Sequence, residues 1–134
     1  MTKRIATRKV TKAQAAIYLS KAEQFYRTME EARENEDWDA VGLNAIHCVI
    51  SANDALLGSL QGLRPSGISH DKAVELLRQY EQGGQSKINI ARFDRIINKK
   101  NLVEYEGRSL TASEARKIAT DAERFLSWVR GRLG

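Results

Sequence analysis

One cysteine, one proline and two histidines in 134 residues exclude more than they suggest. Cys48 on its own can form neither an intrachain disulfide nor a thiolate metal site. Set in an apolar stretch, it reads as a small buried hydrophobe. His47 and His70 belong to different segments, and neither a Gly-rich phosphate loop nor a His-Glu-x-x-His pair occurs. A self-contained metalloenzyme or triad hydrolase is therefore not expected, and no metal or other cofactor is implied. Uninterrupted apolar stretches fall well short of the roughly 20 residues that cross a bilayer. The opening Met1-Thr2-Lys3-Arg4-Ile5 lacks the apolar core of a secretory signal. The expectation is a soluble, cytoplasmic protein without membrane contact.

The length suits one domain that buries roughly two-thirds of its unfolded surface. Lysine and arginine number 22 against 17 aspartate and glutamate, a net charge of +5, and the pI near 9.5 favours an acidic partner. Much of the excess, Lys3, Arg4, Arg8, Lys9 and Lys12, precedes the first apolar periodicity. Residues 1–11 are accordingly read as a basic arm, either a solvated tail or a grip on nucleic acid through counterion release. Residues 12–134 form the domain.

Apolar residues recur at three- and four-residue steps, with little strand-like alternation, so the fold class is all-α. Thr11-Lys12-Ala13-Gln14 has the spacing of a capping box and opens a helix to about Glu34, whose stripe is Tyr18, Ala22, Phe25, Met29 and Ala32. Asn35-Glu36-Asp37 breaks it and supplies a new cap. The second helix carries Trp38, Val41, Ala45, Val49, Ala52, Leu56 and Leu60 on one face, with Ile46, Ile50 and Leu57 beside it. That breadth predicts burial on more than one side, with Trp38 inside. Gly62 and Pro65 stop this helix. Ser69 would cap a short helix with Ala73, Val74, Leu77 and Tyr80 inward, ended by Gly83-Gly84. Ser86 would cap another bearing Ile90, Phe93 and Ile97, followed by a loop containing Gly107. Thr111-Ala112-Ser113-Glu114 is a second capping box, and Ala115, Ile118, Ala122, Phe125, Val129 and Leu133 continue for several turns. The sum is an up-down bundle of about five helices, three long and two short, with an inserted helical crossover.

The order of landmarks is that of a known family. A mostly apolar second helix ends Ala55-Leu56-Leu57-Gly58, Leu63-Arg64-Pro65 follows, a helix opens near Ser69-His70-Asp71-Lys72-Ala73, and a Lys-Asn-x-x-x-Tyr element, Lys100 to Tyr105, precedes the long final helix. From Ala13 to Leu133 this resembles the HEPN domain, a prokaryotic helical-bundle family. In its ribonuclease members the corresponding place carries Arg, often followed by a polar residue, with His a few positions on. Here those positions read Lys100, Asn101 and Tyr105. The resemblance also implies a homodimer, and a nucleotidyltransferase as companion in toxin-antitoxin or defence systems. A dimer is independently suggested by the width of the second helix's apolar surface.

Metal-independent RNA cleavage needs a group that titrates near neutrality and a cation for the developing phosphorane charge. Lysine can replace arginine as a point charge but loses the bidentate fork. A phenol, with an ordinary pKa near 10, is a poor proton shuttle. Lys100 and Tyr105 can still bind phosphate through ammonium and hydroxyl donors, or Tyr105 can pack its ring on the last helix beside a solvated Lys100. Arg92, Arg95 and Lys99 form a basic stripe leading to Lys100, and Asn101 adjoins it, so these residues complete the candidate phosphate site. Asn44, His47, Ser51, Asp54 and Gly58 make a polar seam on one face of the second helix. Such residues need partners, from a cleft shared with Lys100 and Tyr105, another subunit or an inter-helix network. Arg64 and His70 also match an arginine-then-histidine spacing, but in the segment between the second and third helices. The expected function is a non-catalytic binding or assembly module that contacts RNA, a nucleotide or a partner protein. The alternative is a weak HEPN-type ribonuclease.

Overall fold

The computed structural model of the protein describes residues 5–67 and 70–134. It is an all-α helical bundle with one small ribbon: β1 (Thr7–Lys9), α1 (Lys12–Glu34), α2 (Trp38–Gln61), β2 (Leu63–Pro65), α3 (His70–Tyr80), α4 (Gly84–Ile97), α5 (Lys100–Tyr105) and α6 (Ala112–Leu133). Both capping boxes form. The Thr11 hydroxyl accepts from the Gln14 amide while Gln14 Oε1 accepts from Thr11 N–H, and Thr111 and Glu114 do the same. Glu114 is also gripped by both arms of the Arg108 guanidinium at 3.0 Å. That pair, and then the Thr111 amide, holds its carboxyl down at about 2.

The break between α1 and α2 falls at Asn35-Glu36-Asp37, where Glu36 takes a left-handed φ of 59°. Asp37 occupies the cap position without a side-chain cap bond. Ser86 does not cap α4. Gly83, with φ of 108°, holds that position, and Ser86 is buried in the first turn. Ser69, expected to cap α3, lies outside the described residues.

The core lies along α2, which is buried from Val41 to Gly58 on more than one face. α1 covers it with Ala15, Ala22, Met29 and Ala32, and α6 with Ala115, Ile118, Ala122, Phe125 and Val129. α4 adds Phe93, whose ring stacks on Phe125 at 5.1 Å. By length and composition alone α2 could cross a membrane, but 67% of its most apolar window is buried inside the protein. The breadth that suggested a dimer face is thus largely covered within one chain. Cys48 is fully buried, which pushes its thiol up to about 12 and leaves it inert.

Three positions differ from expectation. Trp38 is only half-buried, packed at the edge of the core beneath the Arg116 guanidinium, 4.9 Å from its ring. Leu60 and Tyr80 are exposed, since each lies at a helix end beyond the packed turns. From residue 7 onward the basic arm is backbone-paired, with its side chains exposed: β1 runs antiparallel to β2 in the register Thr7↔Pro65, Arg8↔Arg64, Lys9↔Leu63. Val10 N–H donates to Gly62 O, and the buried Val10 side chain fills the space that glycine leaves at position 58. An apolar anchor bracketed by cations fixes this segment in place.

Candidate functional site

The stretch expected to loop from Lys99 to Tyr105 winds into α5, a sixth, short helix. Gly42 leaves room for Val103 of α5 and for Leu110 beyond it: a Cβ there would lie 3.1 Å from Val103 Cγ2 and 2.5 Å from Leu110 Cδ1. Along the helix, Lys100 Nζ donates to Glu104 Oε2 at 2.7 Å, one turn on. The Lys100 ammonium also lies 5.7 Å from the centre of the Tyr105 ring. Lys100 chiefly, then the Tyr105 hydroxyl and the His47 imidazole, hold the Glu104 carboxyl below its usual range, and Glu104 raises Lys100 in return. Lys100 is therefore not a solvated point charge. Tyr105 is 73% exposed and does not pack its ring on α6. Glu104 was missed in the sequence, although its four-residue spacing from Lys100 was the available signal.

Lys100 also lines a cavity of about 200 Å³. α2 contributes Ile50, Asn53 and Asp54, the β2 strand and following turn contribute Arg64, Pro65 and Gly67, and Ala73, Phe93 and Ile97 close it from α3 and α4. Two of its polar groups are buried. Asn53 is 1% exposed and its Oδ1 has no hydrogen-bond partner. Asp54 is 8% exposed, and burial pushes its carboxyl up from 3.8 to about 6 against the opposing pull of Arg64. The closest approach, Arg64 Nη1 to Asp54 Oδ2, is 3.8 Å, too long for a hydrogen bond. Arg64 lies over the Tyr18 ring at 5.6 Å and donates to Pro65 O. Cross-strand partners share a face, so Arg8 projects beside Arg64 with like charge directly opposite. Among the described residues Arg8 has no ion-pair partner.

The basic stripe does not converge on Lys100. Arg95 is held bidentate by Asp121 at 3.1 Å, and Arg92 donates to Asn89 Oδ1 at 2.9 Å. Lys99 lines a different depression, between α4 and α6, with Arg95 and Asp121. Asn101 is exposed on the first turn of α5. The polar seam also divides. Asn44 is satisfied by the Ala40 carbonyl of its own helix, and the His47 ring lies 5.4 Å from Phe25. Ser51 is half-buried, Gly58 gives way to Val10, and Asp54 alone reaches the cavity. Asn53 was missed because it lies off the seam. Its signal was a pair of adjacent polar residues, Asn53-Asp54, within an apolar run. Arg64 does join Lys100, but the His70 side chain lies outside what is described. Among the described residues no cluster of three or more His, Cys, Asp or Glu is arranged to hold a metal.

A family model described as HEPN domain matches residues 15–132, from the first turns of α1 to the last turn of α6. The chain belongs to the HEPN domain family. No curated protein matches it. In this HEPN domain Arg64 of the ribbon and Lys100 of α5 line one cavity with Asp54 and with Asn53, whose Oδ1 has no partner. Chemically, the arrangement can hold an anion at the rim and accept hydrogen bonds below it. At α5 the Lys100 ammonium is paired with Glu104 rather than free.

Proposed function

We propose that this HEPN domain is a non-catalytic binding module for RNA or nucleotide phosphate. The observation that carries the reading is Arg8 standing opposite Arg64 in the ribbon, while Arg64 itself lines the cavity together with Lys100. Like charges directly opposite in a ribbon are destabilising, and a phosphate bridging them would turn that repulsion into charge-assisted hydrogen bonds. Arg92, Lys99 and Asn101 then play no direct part, and Tyr105 offers an exposed ring and hydroxyl at the margin. Family resemblance supports two further proposals, a homodimer and a nucleotidyltransferase partner in a toxin-antitoxin or defence setting. The cytoplasm is the compartment that fits such a role.

Binding of a short single-stranded RNA, followed against salt, tests this. If Arg8 and Arg64 neutralise about two phosphates, log affinity falls with log salt at a slope of about −1.4, and Arg64→Ala makes it shallower by about 0.7. Unchanged affinity and slope in the Arg8→Ala, Arg64→Ala double variant would rule the site out. One arrangement favours a weak ribonuclease instead: Asp54, buried and 3.8 Å from the Arg64 guanidinium, its carboxyl pushed up by burial to about 6, sets a proton-transfer group and a charge stabiliser in one cavity. RNA cleavage that is lost in Asp54→Asn would establish it.

A further inference from the structure

We propose that the cavity beneath this rim takes a single guanine base, read on its Watson–Crick edge by Asp54 and Asn53. The inference rests on the phosphate-binding reading and names the base that would accompany the phosphate. At about 200 Å³ the cavity is smaller than the roughly 300–1,000 Å³ of sites that enclose drug-sized ligands. It accommodates one base, and the sugar and phosphate remain outside, toward Arg64, which Arg8 faces across the ribbon. Its walls suit a flat apolar body: Ile50, Ile97 and Phe93 line it, and Phe93 is fixed by its stack on Phe125. Sequence-selective RNA binding uses such splayed-out bases.

The polar groups choose the base. Both Asp54 oxygens and Asn53 Oδ1 are acceptors, and Asn53 Oδ1 is buried without a donor, which costs stability until one arrives. A carboxylate is best satisfied by two adjacent N–H donors. Only guanine presents two, the ring N1–H and the 2-amino group, side by side on that edge. Adenine and cytosine each set one amino group beside a ring nitrogen acceptor, which the carboxylate repels. Uracil flanks its single N–H with carbonyls.

The test is calorimetric titration of the full chain with GMP, IMP, AMP and ribose 5-phosphate. It is repeated with short U-rich strands carrying one G, inosine or A. Inosine lacks only the 2-amino group, so GMP and the G strand are expected to bind roughly ten- to a hundredfold more tightly than their inosine and adenine counterparts. Asp54→Asn should erase that preference while leaving the phosphate-dependent affinity. Arg64→Ala should weaken every phosphate ligand in parallel. Ala73→Met, which adds apolar volume to the cavity wall from α3, should abolish the preference with Asp54 left in place. Equal affinity for the G, inosine and A strands, with the salt slope intact, would overturn the base pocket and leave phosphate binding standing. Absence of binding by every nucleotide and strand would overturn both.

Discussion

Replacing Asp54 by asparagine should stabilise the protein at neutral pH and do little in acid. An unfolded aspartate titrates at 3.8, whereas burial carries the folded Asp54 to about 6. Between those values the folded chain holds a proton that the unfolded chain has released, so stability falls as pH rises through that window. The slope is at most about 1.4 kcal/mol per pH unit. Over about two units the charged carboxylate costs the fold about 3 kcal/mol at pH 7 relative to pH 3.5. Arg64 at 3.8 Å recovers only part of the desolvation. The amide of Asp54→Asn keeps the shape and carries no charge. Urea unfolding of both proteins at pH 4, 5, 6 and 7 should therefore show the variant gaining about 2–3 kcal/mol on the parent between the ends of the series. Other carboxylates, such as Glu114 with its depressed value, favour the fold as pH rises, but they are common to both proteins and cancel. Parallel pH curves would refute the reasoning, because they would mean Asp54 keeps its ordinary pKa. A charge retained at such a cost, in a cavity beside two cations, is the pattern of a functional group rather than a packing one.

Gly58→Ala should destabilise by about 1–2 kcal/mol in thermal or denaturant unfolding. The helix gains about 1 kcal/mol in propensity, but the new Cβ would meet Val10 Cγ1 at 2.6 Å and Ala15 Cβ at 3.2 Å, and valine has little rotamer freedom to yield. A more stable variant would mean that β1 is not anchored at Val10. Arg132→Met should cost about 1–3 kcal/mol, because it strips both hydrogen bonds, at 2.6 and 2.9 Å, from the buried Glu81 carboxylate. Paired melts of Arg132→Met and Glu81→Gln with Arg132→Met should show the second substitution restoring part of the loss. Purified protein should leave single-stranded RNA uncut over hours near neutral pH. Cleavage that disappears in Lys100→Ala or Tyr105→Phe would show that α5 carries a nuclease site after all.

The sequence by itself determined the helices and most of their ends. Thr11 with Gln14, Thr111 with Glu114, and Gly62 in the left-handed region act over four residues or fewer, so their effect is readable without a partner. The long stripes of α1 and α6 likewise state which face is buried, and the landmark order was enough to indicate the HEPN family. α5 was read as a loop because it is only six residues long, and its packing of Val103 beside Gly42 is a contact with another helix that local sequence does not display. Trp38 was placed inside because periodicity marks a face but not how far the covering helices extend.

The candidate site was decided by tertiary structure. Arg8, in a stretch that composition describes as a tail, faces Arg64 only because Val10 finds the notch at Gly58 and a ribbon closes across the end of α2. Arg95 and Arg92, which sequence spacing aligned with Lys100, are instead neutralised or bonded by Asp121 and Asn89. Spacing along one helix fixes which side chains share a face. Which cations stay free to meet a ligand depends on what the rest of the chain places opposite them, and that is settled only by contacts between residues remote in sequence.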